Sequence, residues 1–234
     1  MGLEVESRPS DSPYIERVWR SRSSGGVDRM TAVACARGEL VVWEHRGRMC
    51  AAVLGPESKA SQAPVPEDAT FFGITFSLGT WMPHLPFHRL VDRSADIPDP
   101  TRTSFWLKGT TWRLPGYDNA EEFVRRLVRE EVVERDPVVA AVFRGESPDL
   151  SERTIQRHFV AVTGLTRVAV RQIDRARRAA ILLQERTPVH DVIDRLGYFD
   201  QPHLARSLAR YVGRTATRLA EGDPAEPLSL LYKT

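Results

Sequence analysis

Two short stretches in the last third of the sequence place cationic and amide side chains at helical spacing, beside apolar positions. In the first stretch the polar positions are Arg153, Gln156 and Arg157. In the second they are Gln201, His203, Arg206 and Arg210. Glutamine suits hydrogen bonding to the edge of adenine, and arginine suits guanine or a phosphate. The two stretches therefore predict helix faces that read base edges.

The apolar positions between these polar residues predict the helices that carry them. In SERTIQRHFVAVTG, a cap at Ser151 precedes an apolar stripe of Ile155, Phe159 and Val162, and Gly164 ends the helix. A single basic amphipathic helix is more often a solvated face than a binding surface. Two such helices, each preceded by a short helix, are much harder to explain in that way.

The second stretch, VHDVIDRLGYFDQPHLARSLARYVG, predicts a short helix, a tight turn at Gly197 and a second helix that Asp200 caps. This order is the helix-turn-helix arrangement. Before the first stretch, Asp136 with Pro137 predicts another short helix. A long helix over about 168–184 separates the two pairs, so we predict two helix-turn-helix units, with recognition helices at about 151–162 and 201–212.

These motifs resemble the DNA-binding domain of the AraC family of bacterial transcription regulators. The matching residues are LSERTIQRHFVAVTGLT, RQIDRARRAAILL and the whole second stretch, and the resemblance extends over 118–222. It implies base or phosphate contacts for the seven polar residues named above. Two features depart from the family: RGESPDL makes the turn before Ser151 longer, and Ala216 and Leu219 stand where a proline and an aromatic residue are common.

The charge of the chain is unevenly distributed. The net charge is +2, but residues 1–150 carry −3, residues 151–221 carry +6 and the remaining tail carries −1. Residues 151–221 are thus basic, whereas the rest of the chain is acidic. This difference predicts that only the C-terminal part contacts the phosphate groups of a nucleic acid. We expect the arginines of the long helix to position the domain on phosphates, with affinity that falls steeply with salt. They are Arg167, Arg171, Arg175 and Arg177.

Other classes of protein and site find little support. No stretch of 18 apolar residues predicts a membrane span, and the N-terminal MGLEVESRPSDS lacks the features of a signal peptide. We therefore expect a cytoplasmic protein, at the nucleoid when bound to DNA. Cys35 and Cys50 have no metal-binding or redox spacing and are interpreted as buried apolar residues. No catalytic residue, metal ligand or cofactor is predicted.

The N-terminal part is predicted to be rich in β-strands. The runs MTAVACA, ELVVWEH, MCAAVLG and TFFGITF alternate with turn residues and predict a small barrel or sandwich. FSLGTWMPHLP and SFWLKGTTW resemble a sensor-type, cupin-like domain in an uncharacterised branch of the same family. His45, His84 and His88 lack the spacing of a ligand set. Aromatic residues that could line a pocket, but are more often core, are Trp43, Phe76 and Trp81.

We thus predict an α+β protein with several domains. They are a polar arm (1–13), a sensor or dimerisation domain (14–100), a linker (101–117), an all-α DNA-binding domain (118–222) and a tail (223–234). The predicted function is sequence-specific transcription regulation on double-stranded DNA. RNA polymerase, a small-molecule effector and a second copy of the chain are further candidate partners. The alternatives are a metal-dependent cupin-type enzyme with a helical appendage, and a regulator that acts through protein contacts without binding DNA.

Overall fold

A computed structural model describes residues 3–26, 28–222 and 227–229 of the chain. Its N-terminal part consists mainly of strands. They are β1 (Leu3–Pro9), β2 (Ile15–Ser23), β3 (Arg29–Ala32), β4 (Glu39–His45), β5 (Arg48–Leu54), β6 (Ser61–Pro64), β7 (Ala69–Phe76), β8 (Thr80–Trp81), β9 (Ser94–Asp96), β10 (Ser104–Leu107), β11 (Thr110–Arg113) and β12 (Glu134–Arg135). A single turn of 3₁₀ helix lies at Phe87–Arg89.

The helices follow from residue 120 onwards. They are α1 (Ala120–Arg129), α2 (Pro137–Phe143), α3 (Glu152–Thr163), α4 (Arg167–Gln184), α5 (Val189–Leu196), α6 (Gln201–Tyr211) and α7 (Ala216–Glu221). The structure thus contains a β-rich N-terminal region and a helical C-terminal region, as the sequence predicts. Side-chain caps begin five of the helices, at Asp136, Ser151, Thr166, Asp200 and Thr215. Each accepts a hydrogen bond from a first-turn backbone N–H that would otherwise lack a partner.

The largest sheet has six antiparallel strands in the order β1-β2-β7-β4-β5-β9. It is open, with β1 and β9 at its edges, and so a closed cupin-like barrel is not confirmed. β1 was expected to be a polar arm, but all of its residues pair with β2. β1 was not predicted as a strand because many of its side chains are charged. Charged side chains are typical of an edge strand, since they discourage pairing with another chain. One face of the sheet packs in a core with Ile15, Leu40 and Phe76.

The segment expected to be a linker is also part of this core. Residues 104–113 form the hairpin β10-β11, in which Phe105 and Trp112 are buried. Both rings pack edge-to-face against Phe123 of α1, with centroids 5.9 and 6.2 Å away. In addition, Glu121 accepts hydrogen bonds of 2.6 and 2.8 Å from Arg8 of β1, which help to lower its carboxyl pKa to about 2. α1, expected in the DNA-binding domain, therefore packs with the sheet.

The strand region and the helical region are packed together. A second core joins Val33, Ala34, Ala36 and Leu78 to residues of α2 to α7. The backbone N–H of Ala34 donates to the carbonyl of Tyr211 in α6, at 2.8 Å. Most of the predicted tail lies outside the described residues, and 227–229 lies along β3 through backbone hydrogen bonds to Thr31. The two regions thus share backbone and side-chain contacts.

Arg37 is the central charged group of this boundary. Its side chain is only 8% exposed, and it forms ion pairs with Glu16 of β2 and Asp174 of α4. The Arg37 Nη1 to Asp174 Oδ1 distance is 2.7 Å, and the guanidinium carbon lies 5.3 Å from the centre of the Phe143 ring. Burial opposes the charged form, but the two carboxylates outweigh it and raise the pKa of Arg37. One residue therefore ties the sheet to two helices.

A second polar group lies nearby, around Arg177 of α4. Arg177 Nη1 donates to the carbonyl of Ala34 at 3.0 Å. Burial raises the pKa of the Cys35 thiol to about 11, against the attraction of Arg177. Burial, with help from Glu39, raises the pKa of Glu57 to about 8, and Arg177 opposes the change. Glu57 is therefore mostly protonated in the folded protein at neutral pH.

We predict that Arg37→Met lowers the free energy of unfolding by about 3–5 kcal/mol, because it leaves the partly buried carboxylates of Glu16 and Asp174, 30% and 14% exposed, without their cation. Urea denaturation measures this change. The matched control is Arg20→Met, which breaks a pair with Glu6 whose two side chains are 55% and 56% exposed; its cost should stay below about 1 kcal/mol. Equal losses of unfolding free energy in the two variants would contradict the claim that the Arg37 ion pairs hold the sheet and α4 together.

We also predict that Glu57→Gln stabilises the protein at alkaline pH. The raised pKa means that folding favours the protonated carboxyl, and this contribution is lost as pH rises from the ordinary value of 4.5 to about 8. Glutamine is neutral throughout, so the variant should match the wild type near pH 4.5 and exceed it near pH 8.5. Denaturation at both pH values measures the difference. A difference that does not change with pH would show that Glu57 ionises normally.

Candidate nucleic-acid interface

The second predicted unit is formed by α5, a turn and α6. Gly197 takes the left-handed conformation, with φ +66°, that ends α5, and Asp200 caps α6 by accepting from His203 N–H at 2.7 Å. Between them the Tyr198 ring is buried, and its hydroxyl lies 3.2 Å from Ser207 Oγ. Burial raises the pKa of this hydroxyl. The buried tyrosine thus fixes the turn against the middle of α6.

The predicted contact residues of α6 divide into two groups. Gln201, Arg206 and Arg210 are exposed, as base or phosphate contacts require. His203 is half-buried, with its ring edge-on to Tyr198 at 5.2 Å and its Nδ1 3.4 Å from the Phe199 backbone nitrogen. Its imidazole therefore supports the turn, and only part of it is available to a ligand.

The first predicted unit consists of α2, the long turn and α3. Arg153 and Arg157 are exposed on α3, but Gln156 is half-buried. The Gln156 side-chain oxygen accepts from the backbone N–H of Arg167, at 3.4 Å. His158 Nδ1 lies 2.6 Å from the second carboxylate oxygen of Asp136, the residue that caps α2. This contact fixes α3 to α2 although the connection between them is long.

The four arginines predicted to contact phosphate have different surroundings. Arg171 is exposed. Arg167 pairs with Glu152 at 2.9 Å, and Arg175 donates to the Gly197 carbonyl at 3.4 Å, with its guanidinium carbon 4.4 Å from the centre of the Tyr198 ring. Arg177 Nη1 donates to the Ala34 carbonyl in the strand region at 3.0 Å, and phosphate contact for Arg177 stays a prediction. At about 100° per residue, Arg175 and Arg177 lie about 200° apart around α4 and therefore have different neighbours.

Comparison with protein families identifies this region. A family model described as a helix-turn-helix domain matches residues 148–222, which include α3 to α7. This segment is an AraC-type DNA-binding domain. The chain therefore carries the DNA-binding part of a transcription regulator. No curated protein and no solved structure matches the chain at the threshold applied.

Three exposed residues of the AraC-type domain were missed in the sequence. Phe199 is 90% exposed and lies between the buried Tyr198 and the cap of α6. Arg178 and Arg195 are exposed on α4 and α5. The position of Phe199 directly after Tyr198, as a second aromatic residue in the turn, was a usable signal in the sequence. The two arginines gave no such signal, because only the packing of α5 against α4 places them on one surface.

The strand region contacts both recognition helices at their C-terminal ends. His88 Nδ1 lies 3.4 Å from the carbonyl of Ala161 near the end of α3. At Gly164, a Cβ atom would lie 2.4 Å from Val91 and 2.7 Å from the backbone of His88. At α6, the carbonyl of Arg210 accepts from Ala60 N–H at 2.8 Å. The first turns of α3 and α6, which carry Arg153 and Gln201, are left exposed.

The residues considered for an effector or metal site do not converge. Phe76 is buried in the core, Trp43 stacks on Phe71 with ring centres 6.5 Å apart, and Trp81 packs against both cores. Across the described residues, no three histidine, cysteine, aspartate or glutamate side chains are grouped to hold a metal ion. No helix in the described ranges is long and apolar enough to cross a membrane.

Proposed function

We propose that this chain is a sequence-specific transcription regulator that inserts α3 and α6 into successive major-groove segments of DNA. The observation that carries the proposal is the common design of the two helices. Each follows a short helix, begins at a side-chain cap and exposes polar residues in its first turns, and α4 connects the two. Helices held in this way would reach segments about one helical turn, roughly 34 Å, apart.

Within this proposal the exposed side chains read bases. Arg206 and Gln201 face solvent on α6, and Arg153 and Arg157 do so on α3, so these four are the strongest candidates for direct contact. Gln156 and His203 act mainly by fixing the helices that carry their neighbours. Arg210 lies near the end of α6, beside the strand region, and is better placed for a phosphate than for a base.

We further propose that the strand region controls the DNA-binding domain. Its contacts with the ends of both recognition helices give it a physical route to their spacing. A small-molecule effector or a second copy of the chain would act through these contacts, and RNA polymerase would be recruited or excluded once the protein is bound to DNA in the bacterial nucleoid.

Selection from a random-sequence duplex library tests the main proposal. The full chain is expected to enrich two short conserved blocks, with centres about one helical turn apart, and to bind the selected duplex less tightly as salt increases. Recovery of one block would restrict base reading to a single unit. If no sequence is enriched at low or at moderate salt, the proposal of sequence-specific binding is wrong.

We predict that Arg206→Ala relaxes base preference at one position of the block that α6 reads. Loss of a bidentate contact to guanine should cost about 1–3 kcal/mol on the preferred base and little on the others. Binding to duplexes that vary at each position measures this effect. Arg129→Ala is the control, since it removes an exposed arginine of α1 in the strand region. Uniform weakening on all bases would assign Arg206 to phosphate instead.

Phe199 is predicted to contact a thymine methyl group, because it is an exposed apolar side chain directly before the cap of α6. Deoxyuridine in place of the contacted thymine removes that methyl and should cost the wild type about 0.8 kcal/mol. Phe199→Ala should bind both duplexes equally, with unchanged stability of the protein. If the variant still prefers thymine at every position of the α6 block, Phe199 does not make this contact.

A further inference from the structure

A cleft of about 350 Å³ lies along α4, between the first helix-turn-helix unit and α5. It is called the arginine cleft here. Its basic lining residues are Arg167, Arg171, Arg175, Arg178 and Arg195, and the remaining lining residues are Val142, Phe143, Gly145, Phe159, Val170, Asp174 and Leu196. The cleft is thus lined by arginines and by mainly apolar residues.

Two of the five arginines are already engaged by the protein. Arg167 pairs with Glu152, and Arg175 bonds to Gly197 and stacks on Tyr198. Arg171, Arg178 and Arg195 are exposed and have no hydrogen-bonding or ionic partner within the part of the chain that the structure describes. The one acid of the cleft, Asp174, is paired with the buried Arg37. The positive charges of these three arginines are therefore not neutralised by any acidic side chain of the arginine cleft.

The engaged arginines show where the cleft lies relative to the recognition helices. Arg167 contacts Glu152, the first residue of α3, and its backbone N–H contacts Gln156. Arg175 contacts the carbonyl of Gly197, in the turn that leads into α6. The row of arginines thus extends from the start of one recognition helix to the turn before the other. Recognition helices approach bases with their N-terminal residues, so this row would face DNA that both helices contact.

We propose that the arginine cleft binds the sugar-phosphate backbone between the two major-groove segments, with Arg171, Arg178 and Arg195 as its phosphate ligands. The inference rests on the proposed function and adds a third contact region between the two base-reading helices. Guanidinium groups match the geometry of phosphate oxygens, and the apolar floor suits the deoxyribose carbons.

The long turn after α2 contributes to this surface. Phe143, the last residue of α2, and Gly145, in the connection that is longer than the family pattern, both line the cleft. Phe143 is 42% exposed, although it is a large apolar residue, and its ring contacts Arg37. The longer connection thus borders the proposed phosphate site at Gly145.

The test combines protein variants with DNA in which selected phosphates are neutral. Arg171→Gln, Arg178→Gln and Arg195→Gln are measured on the selected duplex, with either natural phosphates or methylphosphonates between its two conserved blocks. Each variant should lower the slope of log affinity against log salt by about 1 without changing base preference. The neutral duplex should bind the wild type more weakly, and the variants should lose no further affinity on it. Arg129→Gln is the matched control.

Each outcome separates the two proposals. If a sequence is selected but the three variants keep the wild-type affinity and salt slope, the cleft does not bind phosphate and the proposed function stands. If no sequence is selected, the same slopes are measured on arbitrary duplexes, because phosphate contacts do not depend on sequence. Lower salt slopes of the variants on arbitrary duplexes would support phosphate binding by the cleft but not sequence-specific recognition. Failure to bind any duplex would overturn both proposals.

Discussion

The buried guanidinium of Arg37 joins the two regions of the molecule. It lies between Glu16 of the sheet and Asp174 of the long helix α4, and it is almost fully removed from solvent. Buried ion pairs rarely add net stability, because desolvation offsets the attraction between the charges. Their value lies in geometry, since an arrangement that separates the partners leaves charges buried and unpaired. Arg37 therefore specifies how the sheet meets α4 more than how tightly the chain folds.

The position of α4 in turn determines the arrangement of both helix-turn-helix units. Its Arg167 side contacts the start of α3, its Arg175 side contacts the turn before α6, and its Arg177 side contacts the strand region. One side of α4 thus contacts both helix pairs, and another side contacts the strand region. A change in the strand region has a direct physical route to the spacing of the recognition helices, through α4 and through the ends of α3 and α6.

The division of arginines between structure and binding follows from the same packing. The arginine content of α4 raises the charge of the whole domain and attracts DNA over a distance. An arginine without a partner in the protein has all five of its N–H donors available to a phosphate. Arg171 and Arg178 are in this group, whereas Arg167, Arg175 and Arg177 also make contacts within the protein. Net charge by itself does not distinguish the two groups.

The sequence by itself determined the local features of the DNA-binding domain. The caps at Asp136, Ser151 and Asp200, the turn glycines and the apolar stripes are short-range signals, because each depends on residues a few positions apart. The predictions of α2 to α6, of the strands β4, β5 and β7 and of an AraC-type domain were therefore sound. The exception among the caps is α5, where Pro188 occupies the cap position without a side-chain hydrogen bond.

Only the tertiary structure decided what depends on distant parts of the chain. The pairing of β1 with β2 and the packing of α1 and of the β10-β11 hairpin on the sheet bring together segments that no local pattern connects. An open sheet and a closed barrel can share the same alternation of residues, because closure depends on which edges meet. The surroundings of Arg175 and Arg177 were decided in the same way. Two arginines that look equivalent in the sequence lie on different faces of α4, and the neighbour on each face determines what the side chain can bind.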